Sequence, residues 1–211
     1  MDGTLVDTEG LWWRTTEEIA ADLGHRLTAV DAAEVVGRAV EDTAAHLVTV
    51  AGRGAPEAVA AALTSAFFAR VEAGAPLRPG ARELLSALAR DGVPFALVSA
   101  SPRIVVDSVV GGALAHVPFR FTLSADDTPR TKPHPDPYRA AAERLGVRPQ
   151  DCVAVEDSPD GAASAEAAGC AVLVVPSLLG VPGSPRRTFL PTLEGVDAQV
   201  LRRCLEGPVT A

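Results

Sequence analysis

Four short apolar runs, at residues 94–99, 119–123, 152–155 and 171–175, alternate with stretches of helical period near 81–90, 102–111, 135–145 and 159–168. Runs of that length, separated by amphipathic helices, are read as buried strands joined by crossovers, so a parallel α/β architecture with right-handed βαβ units is expected. Ahead of them, from about residue 10 to residue 77, strand signals are absent. Trp12, Thr16, Ile19 and Leu23 fall near one face at a 3.6-residue period. Thr28 with Asp31 three residues on resembles a capping box, Gly37 and Gly52 break the pattern, and Pro56 stands where a helix begins. The expected organisation is a core of residues 1–9 and 78–211 with a small helical bundle, 10–77, inserted into it; 211 residues suffice to bury such a core. Residues 176–191, rich in Pro, Gly and Ser, are expected to form an ordered, irregular loop before a short helix near 196–204.

Charge narrows the partners. With 27 Asp and Glu against 19 Lys and Arg, the net charge of -8 repels phosphate backbones and anionic lipid, so neither nucleic acid nor membrane is an expected partner. Any phosphate site must then concentrate positive charge locally, through a lysine, backbone amides or a bound metal. Cys152, Cys170 and Cys204 lack C-x-x-C spacing, and Cys152 and Cys170 are read as small buried hydrophobes in or beside strands. That usage, with neither a signal-like stretch nor a run of roughly 20 apolar residues, gives the cytoplasm as the expected compartment.

In open parallel sheets ligands lie beyond the carboxyl ends of the strands. The polar clusters expected there are residues 2–4, residues 99–101, Asp126 with Asp127, Lys132, and Glu156 with Asp157, all converging on one crevice. His25, His46, His116 and His134 have no metal-ligand spacing between them and are assigned surface or packing roles. Trp12 and Trp13 are assigned to packing, and Arg38 is a candidate contact for a substrate anion.

The opening residues Met1-Asp2-Gly3-Thr4-Leu5-Val6-Asp7-Thr8-Glu9 match the tail of the signature D-x-D-G-T-(L/V)-x-D-(S/T) of the haloacid dehalogenase-like (HAD) hydrolases. Val98-Ser99-Ala100-Ser101, Lys132-Pro133-His134-Pro135-Asp136 and Val155-Glu156-Asp157-Ser158 resemble that family's later motifs, in order. The resemblance covers essentially the whole chain and is closest to the subgroup of β-phosphoglucomutase and sugar-phosphate phosphatases. It implies a Rossmann-like core with an inserted helical cap, and a Mg²⁺-dependent phosphatase of small phosphate monoesters, a monomer or weak dimer acting on a phosphorylated metabolite. It also implies roles. An Asp carboxylate attacks phosphorus, Asp2 is the general acid and base, and Lys132 neutralises phosphate and nucleophile. Ser99 and the Ala100 amide bind phosphate, with Thr4 and Arg38 also among the substrate contacts. Glu156, Asp157 and the Asp2 carbonyl hold the metal. Dehalogenases and phosphonate hydrolases replace the second signature carboxylate, so Asp2 favours phosphate esters. In the mutase pattern an Arg lies three residues after the glycine equivalent to Gly37; here that position is Val40, which disfavours the phosphomutase alternative.

The signature's first Asp falls two positions before Asp2, ahead of Met1, together with the first core strand. The reading adopted is a start assigned at an internal Met, the natural chain beginning roughly ten residues earlier, within two strand-lengths. The rival is a real truncation, a catalytically dead phosphate-binding or structural module. Intact mass of the native protein discriminates the two.

Overall fold

The structure is a computed structural model in which residues 1–35, 38–177 and 180–207 are described. It divides into two compact units, Met1–Val6 with Pro76–Ala211, and Asp7–Ala75.

The second unit is helical. Helix α1 (Thr8–Asp22) starts where the Asp7 carboxylate accepts the Gly10 amide at 3.0 Å, satisfying one of the free donors of a first turn. The short α2 (Ala32–Val35) follows, then α3 (Val40–Ala51), which ends on Gly52 in left-handed conformation, and α4 (Pro56–Gly74), which has proline in its first turn. Helix α4 packs on both α1 and α3. The core between them is Ala20, Leu27, Ala44, Leu47, Val59 and Leu63, with Trp12, Trp13, Ile19 and Leu23 against it, so both tryptophans pack as expected. The break expected at Gly37 lies outside the described residues.

The Thr28–Asp31 pair does more than cap. Asp31 is buried, and its Oδ2 accepts the Thr28 amide and hydroxyl at 2.8 and 2.9 Å. Its Oδ1 faces Nε2 of His46 at 2.8 Å and of His25 at 3.3 Å. The His46 hydrogen bond is the largest influence holding this carboxyl well below the usual carboxylate range. Because the folded-state pKa is depressed, the resulting stability is present above the unfolded value near 4 and is lost as pH falls through the folded one. Asp31→Asn should therefore cost this unit about 1–3 kcal/mol at neutral pH, read as faster amide exchange in α1 and α3. Unchanged exchange would mean the cluster is ornamental.

In the first unit α5 (Ala81–Arg90) buries Leu84, Leu85 and Leu88. Strand β1 (Leu97–Val98) leads through α6 (Arg103–Gly111) to β2 (Thr122–Leu123), which pairs with β1 in parallel. After α7 (Asp136–Leu145), strand β3 (Val153–Glu156) crosses through α8 (Pro159–Ala168) to β4 (Ala171–Val174), again in parallel. The expected irregular segment 176–191 contains a strand instead, β5 (Arg187–Phe189), parallel to β4. Ladder bonds to β4, the burial of Thr188 and an ion pair from Arg187 to Glu166 at 2.7 Å hold it, and none of these is a local signal. Helix α9 (Ala198–Glu206) closes the unit.

The described strands form two sheets, β1–β2 and β3–β4–β5. A cavity of about 560 Å³ runs along β1 and β3, lined by residues including Met1, Leu88, Leu97, Ala142, Val155 and Leu201. The three cysteines are free thiols, and burial raises the pKa of each, that of Cys170 to about 12. Cys170 is the buried small hydrophobe anticipated, while Cys152 is only partly buried against the same cluster. No helix among the described residues is long and apolar enough to cross a membrane.

Candidate active site

Polar side chains gather at the carboxyl ends of β1 and β3. Alternation along β1 explains one anchor: the Leu97 and Ser99 amides donate to Phe121 and Leu123 of the β2 segment at 3.2 and 2.9 Å, which turns the Val98 backbone to the opposite edge. There the Val98 carbonyl accepts the Lys132 ammonium at 3.2 Å. The same ammonium is paired with Glu156 Oε1, the last residue of β3, with side-chain exposures of only 7% and 3%. Two charges this dry are stable only as a hydrogen-bonded pair.

The first turn of the chain folds onto the same place. The amides of Thr4, Leu5 and Val6 all point at the Met1 carbonyl, and Gly3, at φ 67°, makes the turn. A Cβ on Gly3 would run into the Asp157 carboxylate, and one on Gly161 into that of Glu156, so both glycines make room for carboxylates. The Asp2 carboxylate accepts the Ser101 hydroxyl at 2.8 Å and that of Ser99 at 3.3 Å, while Ser99 in turn accepts the Ser101 amide at 3.1 Å. Asp157 accepts the Thr4 hydroxyl at 2.6 Å and the Ser177 hydroxyl at 2.9 Å. The terminal amine of Met1 is buried, and desolvation, followed by the nearby Lys132 charge, lowers its pKa.

Asp2, Ser99, Lys132, Glu156 and Asp157 therefore meet, as expected, and Ala100 follows on the exposed loop. Thr4, expected as a substrate contact, is buried with its hydroxyl engaged by Asp157, which makes it a holder of that carboxylate. Asp126 and Asp127 do not join the group. Asp126 accepts the Arg103 amide at 2.8 Å, and Asp127 pairs with Arg103 and closes a capping box with Ser124. His134 is a local partner of Asp136 at 3.0 Å. Arg38 lies in the helical unit, 3.7 Å from Glu34. Ser101 lay within the expected cluster 99–101 without an assigned role, whereas Ser177 and Tyr138, whose hydroxyl donates to Glu156, escaped the sequence reading. Those two carried no local signal.

Among the described residues no group of three His, Cys, Asp or Glu side chains is placed to hold a metal. What the chain offers a hard cation is narrower: the adjacent buried carboxylates of Glu156 and Asp157, an all-oxygen set that suits Mg²⁺, an ion that retains several waters.

Comparison with known proteins shows the family. The haloacid dehalogenase-like hydrolase family model matches residues 1–169. Hexitol phosphatase B of Escherichia coli K12 is 33% identical over 181 residues, covering 84% of this chain and 81% of that protein. Among solved structures, a HAD family hydrolase from Deinococcus radiodurans with bound phosphate and sodium is 31% identical, with TM-score 0.71 and coverage of 97% and 85%. CbbY from Rhodobacter sphaeroides in complex with phosphate is 25% identical, with TM-score 0.70 and coverage of 96% of each chain. A parallel α/β unit with carboxylates, a lysine and serines at its strand ends is the frame of a hydrolase. The chain belongs to the haloacid dehalogenase-like hydrolase family.

Proposed function

We propose that the chain is a Mg²⁺-dependent phosphatase of small phosphate monoesters, sugar or polyol phosphates. The observation that carries this reading is the convergence of Asp2, Ser99, Lys132, Glu156 and Asp157 at one end of β1 and β3. The relationship to a hexitol phosphatase and the phosphate-bound relatives support it.

In this reading the attacking carboxylate is an Asp two positions before Asp2, outside residues 1–211, which forms an aspartyl-phosphate. The cavity along β1 and β3, lined by Met1, supports a strand delivering it there. Lys132 holds positive charge against the phosphoryl oxygens, and Ser99 with the Ala100 amide binds them. Asp2, steadied by Ser101, protonates the leaving alkoxide and then takes the proton of the water that opens the acyl phosphate. Glu156, Asp157 and the Asp2 carbonyl are the assigned holders of Mg²⁺, which when bound supplies charge to a dianion that would otherwise repel a carboxylate. The unit Asp7–Ala75 takes the role of cap, with Arg38 its candidate anion contact.

The test is a panel of sugar, polyol and glycolytic phosphates offered to an N-terminally extended chain with Mg²⁺. Phosphate release should disappear in excess EDTA and return with added Mg²⁺. Asp157→Asn should weaken Mg²⁺ binding about tenfold or more. Full turnover in EDTA would overturn the metal assignment.

A further inference from the structure

Nineteen residues of this chain are cationic, yet Lys132 is its single lysine; Tyr138 is its single tyrosine. The two are packed on each other, the Lys132 ammonium 5.3 Å from the centre of the Tyr138 ring. That distance is within the range where a ring face attracts a cation. The Tyr138 hydroxyl donates to Glu156 Oε1, the same oxygen that Lys132 engages. Tyr138 is 9% exposed and belongs to a core cluster with Ala154, Ala162, Ala165 and Val172. Its ring therefore has little freedom to move, and it stands on the first turn of α7, six residues from Lys132 along the chain.

We propose that Tyr138 is the positioning residue of the Lys132–Glu156 pair. Its ring floors the ammonium, and its hydroxyl fixes the carboxylate oxygen on which that ammonium pivots. An ammonium has three donors; here one goes to the Val98 carbonyl and one to Glu156, and the ring face bounds the remaining space. The third N–H is thereby the one left for an incoming anion. A guanidinium, planar and wider, does not fit a seat built from a carbonyl, one carboxylate oxygen and a ring face, which gives a physical reason for lysine here in a chain that otherwise uses arginine. Tyr138 does not touch the reacting atoms in this scheme; it acts through Lys132 and Glu156. The functional part of the inference rests on the phosphatase reading, whereas the positioning itself does not.

Because the chain has one lysine and one tyrosine, both report without ambiguity. In the ¹⁵N-labelled chain of residues 1–211, the lysine side-chain ammonium should give one slowly exchanging resonance at neutral pH, with nuclear Overhauser contacts to the tyrosine ring. Tyr138→Phe keeps the ring and removes the hydroxyl. It should speed ammonium exchange about tenfold while leaving backbone amide shifts distant from the site in place. Tyr138→Leu, which also removes the ring face, should abolish the ammonium signal. Inorganic phosphate, titrated into each chain, should bind at least fivefold more weakly to Tyr138→Phe. Absence of the ring contacts in the unaltered chain, or unchanged ammonium exchange in Tyr138→Phe, overturns the proposal. Altered exchange in Tyr138→Phe, with no phosphate bound or released by the N-terminally extended chain in Mg²⁺, upholds the positioning and overturns the phosphatase reading.

Discussion

A chain extended at its amino end by an apolar, strand-forming segment of about six residues, closing on an Asp two positions before Asp2, should release phosphate from its substrate. Residues 1–211 alone should show no turnover. In the extended chain the buried Met1 amine, whose charged form burial and the neighbouring Lys132 disfavour, becomes a peptide nitrogen that carries no such cost. The added strand also has somewhere to go: the cavity of about 560 Å³ lies along β1 and β3, two strands that belong to separate sheets. Activity and thermal stability should therefore rise together. Changing the new Asp to Asn should keep the gain in stability while lowering the rate by about 10³-fold or more, because an amide cannot take over as the nucleophile. Steady-state phosphate release and thermal unfolding of the three proteins decide the matter. Turnover by residues 1–211 within tenfold of the extended chain would show that the attacking group lies inside the present sequence.

The second large effect is expected at Lys132. Lys132→Met removes the cation from a pair whose side chains are 7% and 3% exposed, leaving Glu156 buried with the Tyr138 hydroxyl as its remaining side-chain donor. An unpaired buried charge of this kind costs about 3–5 kcal/mol. For a chain of this size that corresponds to a fall in Tm of roughly 6–20 °C. Adding Glu156→Gln to Lys132→Met should recover most of that loss, since the buried charge is gone, although neither protein should bind phosphate. Urea unfolding of the two variants measures both statements. A loss under about 1 kcal/mol in the single variant would mean that water reaches the pair and screens it.

Much of this molecule could be read along the chain. Helices α5 and α8 run over the residues where apolar period and turn chemistry put them, β4 lies inside its apolar run and β3 passes one residue beyond its own to end on Glu156, because a buried face imprints its own period on a short segment. The same held for Asp2, Ser99, Lys132, Glu156 and Asp157, which stand at the strand ends where parallel topology collects ligands. What could not be read is whatever depends on a partner distant in sequence. Strand β5 is three residues of Arg, Thr and Phe that become a strand because β4 offers a free edge. Tyr138 looks like one core residue of a helix until the fold sets Glu156 against its hydroxyl, 18 residues away. Asp126 and Asp127 had the same acidic credentials as Glu156 and Asp157, but Arg103 and Ser124 claim them. Local pattern determined which elements form and which faces are apolar, since both depend on backbone period and solvent exposure. The assignment of each polar group to its partner was left to the tertiary structure, since a buried donor or acceptor bonds to whatever the packed chain brings within reach.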